Sequence, residues 1–185
     1  MKFFELKLSG AYRINVEPHG DERGWLTRLF CANELREIGF TKPIVNINHS
    51  YTQQKGTIRG LHFQYPPDGE IKIVKCLCGA VWDCIVDMRK GSPTFLKWDA
   101  VELTSNNNRM IYVPEGFAHG FQTLTNDAET IYFVTNFYAP HNEAGLRYND
   151  PVLNIDFPLE ATIVSEKDRQ HPLITDLFKG ITIQI

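Results

Sequence analysis

The segment Gly56-Thr57-Ile58-Arg59-Gly60-Leu61-His62-Phe63-Gln64 places a cation, an imidazole and an amide on one short apolar run. Ile58, Leu61 and Phe63 read as a β-strand. Strict alternation puts Gly60, His62 and Gln64 on one face and Arg59, Leu61 and Phe63 on the other. Arg59 and His62 therefore serve one pocket only if the alternation breaks between them, and Gly60 is where a bulge fits. A lone strand histidine is more often structural than catalytic, so the argument depends on what accompanies it.

The strands around this segment set the fold class. Downstream, Tyr65-Pro66-Pro67-Asp68-Gly69 is a turn. Ile71 to Leu77 and Ala80 to Met88 read as strands about Gly79. Phe95 to Leu103, Arg109 to Val113, Gly120 to Leu124 and Thr130 to Phe137 follow at short spacing, separated by polar turns such as Thr104 to Asn108. Upstream, Ile44 to Ser50 is a strand and Phe3 to Val16 holds one or two more. His19 to Gly24 is a charged turn, after which Trp25 to Phe30 resumes an apolar pattern. Ala32 to Gly39 reads as a short helix closed by glycine, and the tail from Ser165 holds another. Many short strands with regular turns predict an all-β sandwich or barrel. No repeat, linker or low-complexity tract divides the chain, so one domain over 1–185 is expected.

Composition narrows the function. Apolar residues make up 43% and charged residues 22% of the 185, as in ordinary globular proteins. The net charge of -3 is dispersed, which argues against nucleic-acid binding. No run approaches a membrane span and no signal peptide is expected. Cys31, Cys76, Cys78 and Cys84 lie mostly in apolar strand patterns and read as reduced core residues of a cytoplasmic protein. Cys76-Leu77-Cys78 lacks the two-residue spacer of common zinc and redox motifs.

Several strands carry polar groups where a core residue is expected. Val81, Asp83, Ile85 and Asp87 share a face, and a buried carboxylate there needs a partner. Lys72, on the neighbouring predicted strand, is one candidate. Tyr132 shares a face with Val134, Asn136 and Tyr138, and His119 sits where a turn enters a strand. Arg59, His62, Lys72, His119 and Tyr132 either line one cavity or are unrelated groups satisfied locally. In a cavity, His is a base effective near neutral pH. Tyr is a weak acid for the opposite face. Lys and a second His stabilise an enolate oxygen. Arg grips a phosphate. That is the equipment for epimerising a carbon beside a carbonyl.

At this point the residues match a known family. Asp21-Glu22-Arg23-Gly24, Arg59 to Gln64, Val86-Asp87-Met88-Arg89 with Ser92-Pro93-Thr94, Pro114 to Phe121, Asn149-Asp150-Pro151 and Ser165-Glu166-Lys167-Asp168 occur in order over nearly the whole chain. Together they resemble the 4-keto-6-deoxy sugar-nucleotide 3,5-epimerases, cupin-fold enzymes of the dTDP-rhamnose pathway. The resemblance implies a cupin-type jelly roll (a double-stranded β-helix) with short peripheral helices. It implies a homodimer acting on a nucleotide-diphosphate sugar, without metal or organic cofactor. It implies His62 as the base, Asp168 as its partner, Tyr132 as the acid and Lys72 as the stabiliser of the enolate oxygen. Arg23 and Arg59 would bind the diphosphate. His119, Glu143, Asn48 and Gln64 would complete the substrate pocket. Asp83 is added as a support for Lys72 or His119.

Two segments depart from the family pattern. Trp25-Leu26-Thr27-Arg28 stands where an aromatic-Phe-x-Glu run is usual, so an aromatic is lost and an acid becomes a base. Asn46-Ile47-Asn48-His49-Ser50 stands for Gln-Asp-Asn-x-Ser. These departures imply an altered handle, such as cytidine in place of thymidine or a deoxygenated sugar inverted at one centre. Two other classes compete. Metal-dependent cupins usually present a His-x-His pair, whereas this strand offers only His62. A non-catalytic sugar-nucleotide-binding module would not need His62, Tyr132 and Asp168 together.

Overall fold

The computed structural model describes residues 1–183; residues 184 and 185 of the expected single domain lie outside the described residues. Among the described residues, thirteen strands occur in the order β1 (Lys2–Glu5), β2 (Tyr12–Asn15), β3 (His19–Asp21), β4 (Gly24–Leu26), β5 (Asn46–Thr52), β6 (Ile58–Gln64), β7 (Lys72–Cys78), β8 (Ala80–Asp87), β9 (Trp98–Thr104), β10 (Arg109–Val113), β11 (Phe117–Thr123), β12 (Ala128–Val134) and β13 (Glu143–Gly145). Two short helices, α1 (Ala32–Leu35) and α2 (Glu166–Gln170), lie outside the sheets. The order β1-β2-β10-β7-β12-β5 forms one sheet and β13-β6-β11-β8-β9 the other, with β3-β4 a separate hairpin. All named pairings are antiparallel. The all-β jelly roll expected from the sequence is the fold.

The alternation of each strand accounts for three apolar layers. Val74, Ile111 and Val113 of the six-stranded sheet meet Val81, Ile85, Leu103 and Phe117 of the five-stranded sheet between the layers. Ile14, Ile73, Met110 and Phe133 point outward and are covered by Leu35 and Phe40. Leu61, Phe63, Val86 and Met88 point outward from the second sheet, under Leu146, Leu153 and Ile181. Truncating a fully buried residue such as Leu61 costs about 2–5 kcal/mol.

Some local expectations are corrected. Residues 19–26 are a hairpin, and Trp25 and Leu26 on it are exposed, because β3-β4 pairs with neither sheet. β13 is three residues long, too short to register as an alternating pattern. Cys78 is exposed at the strand end before Gly79, unlike buried Cys76 and Cys84, and all four cysteines are free. The helix ending at Gly39 does form, as α1 followed by a 3-10 turn, with Gly39 at φ 80°.

Candidate active site

β6 carries the break in alternation that Arg59 and His62 require. Arg59 pairs with Phe121 and His62 with His119, so Gly60 and Leu61 together face Gly120. The extra residue turns Arg59 from the outward face to the same cavity as His62. Only glycine fits at the bulge. Gly60 has φ +108°, and a Cβ there would lie 2.7 Å from the His119 carbonyl oxygen.

The bulge also frees the Gly60 N–H, which donates to Asp168 Oδ2 at 3.2 Å. Asp168 Oδ1 lies 2.6 Å from His62 Nε2. Asp168 reaches this position because Ser165 caps α2, its Oγ accepting the Asp168 N–H at 3.0 Å. Burial alone would raise the Asp168 pKa. The bond and charge of His62, with the Gly60 and Ser165 contacts, outweigh it and hold the carboxyl below its ordinary value. A neutral His62 that donates Nε2–H to this carboxylate keeps the lone pair on Nδ1, which is then the basic atom.

The cavity has a volume of about 430 Å³ and is lined by Arg59, His62 and His119 from one sheet and Lys72 and Tyr132 from the other. An adjoining lobe of about 320 Å³ shares His62, Lys72 and Tyr132 and adds Asn46, Asn48, Gln64, Glu70 and Glu143. Base and acid candidates thus come from opposite walls. Burial, reinforced by the charge of Glu70 and partly offset by Arg59, raises the Tyr132 pKa, so its hydroxyl keeps its proton. His119 Nε2 lies 2.9 and 3.0 Å from the two oxygens of fully buried Asp83.

Lys72 pairs with Glu70 at 3.1 Å, and both side chains are largely buried. This corrects the pairing of Asp83 with Lys72. The two residues belong to different sheets, and the register places Asp83 beside Phe121, next to His119. Arg59 donates Nε–H to Thr52 Oγ1 at 2.9 Å and from Nη2 to the Tyr51 carbonyl at 3.2 Å, which leaves the remaining N–H groups of its fork for an anion. Arg23 is not brought to the cavity. It is exposed on the β3-β4 hairpin and held by Asp21, two residues away.

Gln64 borders the second lobe, but its amide is committed to the walls. It donates to Asp68 O and Phe137 O and accepts the Ala139 N–H at 2.7 Å. Glu143 enters through β13, opposite Gln64, and accepts from the Tyr138 hydroxyl at 2.8 Å and from Lys167. Burial pushes its pKa up, and Lys167 and Tyr138 more than reverse this.

Sequence reasoning missed three residues. Glu70 carried a usable signal, lying two positions before Lys72 on an extended segment. Lys167 lies inside the quoted Ser165 to Asp168 motif. His171 carried none, because it follows α2 with no periodic pattern. Its ring packs edge-on to His62 with centroids 5.9 Å apart. Burial, then the neighbouring His62, lowers its pKa.

The departures from the family pattern fall mostly outside the cavity. Ile47 points outward and is exposed, and Arg28 pairs with Glu34 near α1. Only Asn46 of the substituted positions borders the second lobe.

A family model described as dTDP-4-dehydrorhamnose 3,5-epimerase matches residues 5–176. A Shigella flexneri protein of that name is 43% identical over 169 residues, covering 91% of this chain and 93% of its own. The Legionella pneumophila crystal structure of dTDP-6-deoxy-D-glucose-3,5-epimerase, in complex with dTDP-4-keto-L-rhamnose, has a TM-score of 0.91 and 37% identity. It covers 100% of this chain and 99% of that one. The Bacillus anthracis dTDP-4-dehydrorhamnose 3,5-epimerase structure, with TDP and PPi bound, has a TM-score of 0.90 and 39% identity. It covers 94% and 99% of the two chains.

Proposed function

The chain belongs to the dTDP-4-dehydrorhamnose 3,5-epimerase family, and we propose that it performs that reaction with His62 as base and Tyr132 as acid. It is an isomerase acting on nucleotide-linked 4-keto-6-deoxyhexoses in deoxysugar biosynthesis. The observation that carries the residue assignment is the His62–Asp168 pair, facing Tyr132 from the opposite sheet across one cavity.

The carbons on either side of a 4-keto group bear acidic hydrogens. His62 Nδ1 removes one of them, and Asp168 stabilises the imidazolium that results. The electron pair moves onto the C4 oxygen, where Lys72 supplies positive charge. Tyr132 donates its proton to the other face of the carbon and inverts it. Lys72 is held for this role by Glu70. Asp83 holds the His119 ring from behind, which supports a substrate-binding rather than a base role for His119. Arg59 takes the diphosphate, and Asn48 and Glu143 take sugar hydroxyls.

The chain acts as a homodimer in the cytoplasm. Exposed Trp25, Leu26 and Ile47 are apolar surface that a second copy would cover, and the four free thiols fit a reducing compartment. No described helix is long and apolar enough to cross a membrane. The test of the reaction is incubation with dTDP-4-keto-6-deoxyglucose in deuterated water. Deuterium at both C3 and C5 of the sugar is expected. Absence of label from both centres would overturn the reading.

A further inference from the structure

His171 stands in the site without a part in the epimerisation. Its side chain is 11% exposed, and its Nε2 is buried with no hydrogen-bond partner. That nitrogen lies 3.8 Å from Asp168 Oδ1, the same oxygen that His62 Nε2 approaches to 2.6 Å. Among the described residues, His62, Asp168 and His171 form a group whose ligand atoms all lie within 4.8 Å of one another.

The surrounding chain is shaped to seat the third ring. Gly145 pairs with His62 between β13 and β6, and a Cβ on Gly145 would lie 2.2 Å from His171 Nε2. The missing side chain is the space the imidazole occupies. Arg147 fixes the backbone by donating to the His171 carbonyl. A buried nitrogen without a hydrogen-bond partner, 3.8 Å from a carboxylate oxygen, is a position that a cation between them would satisfy.

We propose that His62, Asp168 and His171 bind a divalent transition metal of the zinc or cobalt type, and that the ion switches the enzyme off. Two imidazole nitrogens and one carboxylate oxygen suit such ions. Bonds of about 2.0–2.2 Å need His62 and Asp168 to open slightly and His171 to close in, each by roughly an ångström or less.

The inhibition follows from the tautomer and rests on the base role given to His62. Without metal, the Nε2 proton points at Asp168 and the Nδ1 lone pair faces the reaction. A metal takes the Nε2 lone pair, so the single ring proton of a neutral His62 must move to Nδ1. One Nε2–metal bond replaces the Nε2–H···Oδ1 bond, and the proton changes nitrogen without loss or oxidation. Nδ1 then has no lone pair to accept the substrate proton. Arg59 is not a ligand, so the nucleotide still binds.

The test is titration of Co²⁺ into the chelator-treated full-length protein, following its visible d–d absorption, with Zn²⁺ as competitor. Saturable absorption at one site is expected, weakened at least about tenfold in H171A. H171Q, which keeps much of the ring's volume, guards against misfolding. Deuterium wash-in should fall in step with Zn²⁺ occupancy, return with EDTA, and be insensitive to the same Zn²⁺ in H171Q. Affinity for dTDP should not change with Zn²⁺. No absorption, or metal affinity in H171A and H171Q equal to that of the wild type, overturns the site. Metal binding that leaves wash-in intact overturns the switch. If the metal-free protein exchanges no deuterium, the epimerase reading fails, while the absorption still reports on the site.

Discussion

His62 Nε2 and Asp168 Oδ1 stand 2.6 Å apart although 106 residues separate them. The bulge at Gly60 and the capped start of α2 bring them together: the Gly60 N–H donates to Asp168 Oδ2, and Ser165 Oγ accepts the Asp168 backbone N–H. Removing the ring by H62A should reduce deuterium wash-in by at least about 10³-fold. D168N, which keeps the shape but loses the charge, should reduce it about 10- to 10³-fold. Calorimetry should find dTDP affinity within roughly threefold of wild type for both. Wash-in that survives H62A would remove His62 as the base.

Tyr132 faces the cavity from the sheet opposite His62. In Y132F the base can still exchange a proton from its own side, but no acid waits on the other. Epimerisation should fall about 10²- to 10⁴-fold, while solvent exchange into unepimerised substrate falls less. NMR of one reaction mixture gives both rates. Equal losses would argue against separate base and acid.

Lys72 is held by Glu70, and both are largely withdrawn from water. K72M should lower kcat about 10²-fold through lost enolate stabilisation. E70Q should lower kcat less and leave KM nearly unchanged, because its effect passes through the position of Lys72. Steady-state kinetics with the two variants tests the order, and E70Q falling as far as K72M would place Glu70 among the groups that touch substrate.

Acid stability should depend on Asp87, which is fully buried and accepts from Arg89 Nε and Nη2 at 2.9 and 2.7 Å and from Thr94 Oγ1 at 2.6 Å. Burial would raise its pKa, but Arg89, Ser92 and Thr94 prevail and lower it. A carboxyl lowered by folding adds stability that is complete above its unfolded value, about 4. That stability is lost as pH falls through the lower folded value. Urea unfolding should therefore show wild type weakening below about pH 4. D87N should lose about 3 kcal/mol at pH 7 and show a flatter acid limb.

Gly60 has no room for a methyl group, at φ +108° and 2.7 Å from the His119 carbonyl oxygen for a Cβ. G60A should cost at least about 2 kcal/mol in urea unfolding. Any folded fraction should exchange more slowly, since the Gly60 N–H anchors Asp168. Wild-type stability in G60A would show that the bulge can relax.

The sequence by itself determined the all-β class and the positions of the main sheet strands, and it marked Arg59, His62, Lys72, His119 and Tyr132 as polar groups on faces where a core residue is expected. These follow from residue alternation and turn chemistry, which act over a few neighbours. It also marked Gly60 as the place where Arg59 and His62 can be brought to one side, because the conflict is written in consecutive residues. The resemblance of the motifs already implied Asp168 for His62, which residue spacing alone does not suggest; only the tertiary structure decided the other carboxylates, Asp83 for His119 and Glu70 for Lys72. It alone left Arg23 outside the cavity, committed the Gln64 amide to the walls and seated His171 in the gap at Gly145. The physical reason is that pairing depends on sheet membership and on how a bulge, a helix cap and a three-residue strand meet in space. None of these leaves a period in the chain.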